Sequence, residues 1–172
     1  MAVEIISTDG AVFALWGKPT KADLDRVVDK VERLASHRGR PVVYIARVPP
    51  TAPAPDDAVR PYMNSLMPRF IKVCSSYHVV LEGTGFVSAI KRGVLASILQ
   101  LGWRNGSFFV HDNARSVSAK VDRGARADVE TILGLAEAKG LLTAPPPEDG
   151  APVAATRPSN RPRTDQRSSP MR

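Results

Sequence analysis

Glu82-Gly83-Thr84-Gly85, three histidines and a single cysteine are the residues of this chain whose types and spacing could do chemistry. The glycine-containing stretch stands between a strand-like run and a helix-like run. Backbone N–H groups point outward at such a junction, and the helix dipole there favours a negative ligand. An anion, a phosphate or the contact loop of a partner would suit it. The spacing falls short of Gly-x-Gly-x-x-Gly, and no terminal Gly-Lys-Ser/Thr follows. Glu82 would repel an anion, so the same residues also fit a tight turn with Thr84 as the cap of a helix beginning at Phe86.

His78 and His111 fall in different strand-like runs, and His37 lies near a helix end. A metal ion needs three or four convergent ligands, and no His-x-x-x-His or Cys-x-x-Cys spacing is present. No metal and no cofactor are therefore expected. His111-Asp112 would pair a base with an orienting carboxylate, but adjacent strand residues point to opposite faces. All three imidazoles are expected to be ordinary surface or strand-end groups. Cys74 falls on the apolar stripe of a helix, where a thiol behaves as a small hydrophobe. With one cysteine no internal disulfide can form, and no Gly-x-Ser-x-Gly elbow supplies a nucleophile. The expected set of catalytic residues is empty.

The elements that must position these residues alternate between strand and helix patterns. Residues 3–6 and 11–16 are short β-prone runs joined through Asp9-Gly10, a hairpin signal. A helix starts at Thr20, with Asp23 completing a capping box, and ends at Gly39. Leu24, Val27, Val28, Val31, Leu34 and Ala35 give it one buried stripe. Residues 41–46 form a nearly continuous apolar strand, buried on both faces. A proline-rich loop over 49–55 leads to Asp56-Asp57, either of which can cap a second helix.

Met63, Leu66, Met67, Phe70, Ile71 and Cys74 define that helix; Pro61 suits its first turn, whereas Pro68 should kink or divide it. Strands at 78–81 and 107–110 and helices at 86–101 and from about Ser116 to Gly140 complete the series, with Gly124 a possible interruption. The order β-β-α-β-α-β-α-β-α predicts an α/β fold. Its expected form is an open, mostly parallel five-stranded sheet with an N-terminal hairpin and four flanking helices.

This order and these element lengths resemble the STAS domain, the fold of anti-sigma-factor antagonists, and more loosely its SpoIIAA-like relatives. The resemblance spans about residues 3–140. The run Val79-Val80-Leu81-Glu82-Gly83-Thr84-Gly85-Phe86 is similar to a strand–loop–helix turn of bacterial members of that group. It implies a regulatory protein–protein interaction module in signalling, or a lipid-binding role. One departure stands out. The family's Asp-Ser-Ser-Gly phosphoacceptor loop is replaced here by residues 47–57, which hold Thr51 but no such motif. A phosphorylation switch of the usual form is not expected.

Composition bounds the remaining classes. Apolar residues make up 43% and charged residues 24%, a globular balance, with no apolar run long enough for an integral membrane segment. The first ten residues lack the basic and long apolar regions of a secretory leader, so a cytoplasmic protein is expected. The net charge is +7, of which +5 falls on residues 1–143, a mildly basic and mixed surface, so nucleic-acid binding is not expected. Residues 144–172 hold seven of the fifteen prolines and no aromatic, and are expected to be a disordered Pro/Arg-rich tail beyond one domain at 1–143.

The expected function is non-enzymatic: regulation or scaffolding of a protein partner, with a homodimer possible. Loops at the strand carboxyl ends would carry it, through Thr51, Asp56, Asp57, Val59, Met63, Met67, Glu82, Gly83, Thr84, Gly85 and Phe86. The alternative is a carrier or sensor of a small apolar ligand or lipid. Its cavity would lie beneath Met63, Met67 and Phe70 and be opened at Pro68.

Overall fold

A computed structural model describes residues 3–53, 55–82 and 107–142. Five strands form one sheet in the order β1 (Val3–Ser7), β2 (Ala11–Trp16), β3 (Val42–Val48), β4 (Cys74–Leu81), β5 (Ser107–His111). β1 runs antiparallel to β2, and every other neighbouring pair is parallel. Helices α1 (Lys21–Arg38) and α2 (Val59–Val73) cover one face. A 3-10 helix (Ala114–Lys120) and α3 (Arg123–Ala138) cover the other. The expected α/β sheet with its opening hairpin is the observed one. The helix expected at 86–101 and the tail at 144–172 lie outside the described residues.

β3 is the axis of this arrangement. Six of its seven residues are buried, and its alternate side chains enter opposite cores. Val42, Tyr44 and Ala46 pack beneath α1 and α2, while Val43 and Ile45 pack against α3 and the 3-10 helix. A strand covered on both faces reads as a continuous apolar run, which is why this element is plain in the sequence. The Tyr44 hydroxyl, wholly buried, accepts a hydrogen bond from Trp16 Nε1 at 2.9 Å. Burial pushes its ionisation well above the ordinary tyrosine range, with Tyr77 adding to the effect.

α1 begins and ends as its sequence dictates. The Thr20 hydroxyl accepts from the Asp23 N–H at 3.1 Å, and Asp23 Oδ2 accepts from the Thr20 N–H at 3.0 Å, closing the capping box. Gly39, at φ 67°, provides the left-handed residue that terminates the helix. α1 is joined to α2 by polar side chains. Asp25 accepts from the Tyr62 hydroxyl, and Arg69 donates to Glu32 at 2.6 and 2.8 Å and to Asp29 at 3.1 Å. The Arg69 contact holds the Glu32 carboxyl below its usual range.

Several expectations for α2 and its neighbours are corrected. Neither Asp56 nor Asp57 caps α2 through its side chain; only the Asp56 carbonyl accepts, from Val59 and Arg60 N–H. Pro68 does not divide the helix, which runs unbroken from Val59 to Val73. Pro68 is exposed, and so is Asn64, the residue whose carbonyl the ring leaves without its helical N–H. Cys74 is not helical. It opens β4, because the chain passes directly from α2 into that strand, and its buried thiol has its ionisation pushed up by desolvation. The last helical region breaks at Val121-Asp122 rather than at Gly124, and Gly140, at φ 68°, follows its end.

The hairpin is tight. The Thr8 N–H donates to the Ala11 carbonyl at 2.9 Å across Asp9-Gly10. Gly10 has no left-handed φ; a close approach explains it instead. A Cβ there would lie 1.9 Å from both Arg38 Nη1 and Asp128 Oδ2, which belong to the ion pair joining α1 to α3 across the turn at 2.8 Å. Gly10→Ala should therefore cost about 1–2 kcal/mol in urea unfolding by displacing that pair. In an Asp128→Ala background most of this penalty should vanish. An equal penalty in both backgrounds would show that the pair is not what the glycine accommodates.

Candidate functional site

The carboxyl ends of the strands bring some of the expected site residues together. Thr51, Asp56 and Asp57 are exposed on the segment after β3. Asp56 pairs with Lys18 at 3.1 Å, joining this segment to the loop after β2, and Asp57 pairs with Arg60 at 3.0 Å. Val59 is only 8% exposed and belongs to the core, because it starts the face of α2 that carries Leu66 and Phe70. As a surface contact residue it is therefore corrected.

Met63 and Met67 lie half-buried against the same core. Beneath Phe70 the space is taken by the Tyr44 and Tyr77 rings, with centroids 5.0 and 5.4 Å away. Gly83, Thr84, Gly85 and Phe86 lie outside the described residues, and Glu82 does not face solvent as a free carboxylate. It pairs with the buried Arg47, whose Nη1 also donates to the Leu141 carbonyl at 2.8 Å.

A second polar group in the same face of the sheet was not expected. His78 and His111 are not separate strand-end residues. The parallel register sets Val80 beside His111 and His78 beside Phe109, so the two imidazoles become diagonal neighbours on one face. His78 Nδ1 lies 2.9 Å from His111 Nε2, His78 Nε2 lies 2.9 Å from Ser76 Oγ, and His111 Nδ1 lies 2.7 Å from Ser116 Oγ. Both rings are buried, and Phe109 stacks on His78 at 5.0 Å.

The direction of every bond in this chain follows from its end. Ser116 donates its hydroxyl proton to the Asn113 carbonyl at 2.9 Å, so its oxygen accepts from His111 Nδ1–H. His111 Nε2 is then an acceptor and takes the proton of His78 Nδ1–H. That leaves His78 Nε2 to accept from the Ser76 hydroxyl. The tautomers are thus set by the network, with each imidazole neutral. Their acidity agrees. Burial foremost, and then His111, pulls His78 down to about 3. Burial also lowers His111, against the opposing pull of Asp112.

Ser76, His78 and His111 stand in the hydrogen-bond order of a nucleophile, a base and an orienting group. Two features oppose that use. Ser76 is only 5% exposed, and an imidazole held at so low a pKa is a weak base at neutral pH. A chain that is closed and neutral suits the positioning of β4, β5 and the 3-10 helix. Asn113 completes that junction by accepting from Ser116 N–H at 3.0 Å.

Among the described residues no three His, Cys, Asp or Glu side chains converge to hold a metal ion. No described helix is long and apolar enough to cross a membrane. The Ser76-x-His78 spacing places both residues on one strand face, but the strand expected at 78–81 does not reach Ser76. The pairing with His111 depended on a β4–β5 register that no local pattern encodes. Comparison with protein-family models, with curated proteins and with solved structures finds no match.

The histidine chain predicts a pH dependence with a definite sign. His78 titrates in the unfolded chain near its ordinary 6.5 and in the fold at about 3, so the unfolded state binds the extra proton between these values. Stability is fully present above the unfolded pKa and falls as the pH drops toward the folded one. For His78 this amounts to about 2 kcal/mol between roughly pH 7 and pH 5. Urea unfolding of the wild-type chain and of His78→Gln at the two pH values should differ by that amount in pH sensitivity. Identical slopes would remove His78 as the source.

Proposed function

We propose that this chain is a non-enzymatic regulatory or scaffolding module that holds a protein partner through the loops at the carboxyl ends of its strands. The contrast at that end of the sheet carries the reading. Arg47, His78 and His111, the groups best suited to chemistry, are buried; His78 bonds His111, and Arg47 pairs with the half-buried Glu82. Thr51, Asp56 and Asp57 project into solvent on a proline-rich segment. Proline shortens the list of conformations such a loop gives up on binding, so an exposed Pro-rich loop forms a contact surface at low entropic cost.

The STAS resemblance supports the same function. An opening hairpin followed by parallel βα units is compatible with it, and loss of the Asp-Ser-Ser-Gly motif fits a partner surface that is not switched in the family's usual way. Full-length chain used as bait in an extract of its own host should retain one protein at fixed stoichiometry. The Thr51→Arg/Asp57→Arg double variant changes only exposed side chains. It should lower that retention by about tenfold without changing the thermal unfolding midpoint. Equal retention by the folded double variant overturns the placement of the surface.

A further inference from the structure

The two margins of α1 differ in charge and in what they face. Asp25, Asp29 and Glu32 meet Tyr62 and Arg69 of α2. The opposite margin carries Arg26, Lys30, Arg33 and His37 and looks toward β1, where Arg26 Nη2 donates to the Val3 carbonyl at 2.9 Å. Lys30, Arg33 and His37 line one open depression with Leu34. No described carboxylate forms an ion pair with Lys30 or Arg33. Among the described residues Arg33 bonds only the Asp29 carbonyl of its own helix.

β1 is an edge strand, and its open side can be worked out from the turn. Because Thr8 bonds Ala11, the residues Thr8, Ile6 and Glu4 face β2 with their backbone groups, and Val3, Ile5 and Ser7 turn theirs outward. Arg26 occupies the outward Val3 carbonyl, which agrees with this phase. The outward groups of Ile5 and Ser7 have no strand beside them among the described residues. β1 contains neither proline nor lysine, the residues that commonly protect an edge, and Ile5 and Ile6 are only half-buried.

Helix and edge run alongside each other. β1 is antiparallel to β2, and α1 returns antiparallel to β2 to enter the parallel strand β3. Measured from the Arg26–Val3 contact, Lys30 lies about 6 Å and Arg33 about 10 Å along the helix. Ile5 and Ser7 lie about 7 Å and 13 Å along the strand. Reckoned from that contact, the cations fall level with the open backbone groups along the two axes.

We propose that the outer edge of β1 takes up an extended acidic segment of a partner protein as an added strand. Its backbone would pair with Ile5 and Ser7, and every second side chain would be an Asp or Glu set against Lys30 and Arg33. Charge decides between occupants. A second copy paired edge to edge would bring two basic margins of α1 together on one face of the joined sheet. Residues 144–172 carry five arginines and three acids, the wrong sign for this margin. A lipid surface would meet the cations but leave the strand edge unpaired. This surface lies at the β1 margin and is independent of the one proposed at residues 49–57.

The probe is a blocked, fluorescent peptide of alternating Glu and Val, titrated with the full chain and read by anisotropy. Saturable binding is expected at concentrations below about 1 mM, and none for the peptide with Lys in place of Glu. Lys30→Glu/Arg33→Glu should weaken binding by about tenfold or more. Ser7→Pro should do the same while sparing the β1–β2 ladder, because the Ser7 N–H points away from β2.

If Ser7→Pro lowers the thermal midpoint, the same peptide N-methylated on alternate amides replaces it, in both phases, on the wild-type chain; one phase should then fail to bind. Absence of saturation, or binding that survives charge reversal or loss of the edge bond, overturns the proposal. So does a peptide-insensitive association with phosphatidylserine vesicles, which would assign the cations to a membrane. A dimer abolished by Ser7→Pro would assign the edge to a second copy and overturn it equally.

Discussion

Covering a parallel strand on both faces leaves no water for polar groups beside it, so each must find its partner within the protein. β3 imposes that condition here, and the polar contacts around it are its consequence. On the face covered by α1 and α2, Trp16 meets the Tyr44 hydroxyl. On the other face, Arg47 meets both Glu82 and the Leu141 carbonyl, tying the end of β3 to the segments that follow β4 and α3. One strand over, the same condition closes Ser76, His78, His111 and Ser116 into a directed chain of bonds.

These buried contacts join elements distant in the chain, and their cost of removal is asymmetric. Taking away one partner leaves the other desolvated without a bond, a larger loss than the net value of the contact itself. The histidine chain therefore acts as a register key for β4 and β5. Slipping one strand by a residue would move an imidazole to the opposite face and leave its neighbours unsatisfied. The same pairing that fixes the strands withdraws the imidazoles from acid–base chemistry at neutral pH, because desolvation disfavours their charged forms.

The surface follows a different rule, since water satisfies whatever the protein does not. α1 spends its acidic margin on α2 and keeps its basic margin at the open edge of β1. Such an edge, with half-buried isoleucines and outward backbone groups, is a place where a protein gains a strand or guards against one. The loop after β3 differs again, displaying polar tips on a stiff proline-rich segment. The two exposed margins thus differ in charge and in stiffness around a closed interior.

The order of elements was legible from sequence because it rests on local rules: the capping box at Thr20 and Asp23, the left-handed stop at Gly39, the unbroken apolar run of β3, the turn at Asp9-Gly10. Each depends on residues within a few positions of one another. Local rules also misled where packing overrode them. Helical spacing extended α2 through Cys74, yet that residue enters the sheet beside Val42. A charge placed before α2 suggested a side-chain cap, whereas Asp56 and Asp57 turn to Lys18 and Arg60. Gly10 marked a turn for its flexibility, but Arg38 and Asp128, far along the chain, are what exclude a side chain there. The histidine pair shows the limit most plainly: alternation in each strand says which face a residue takes, and only the pairing of two strands says which residue stands next to it.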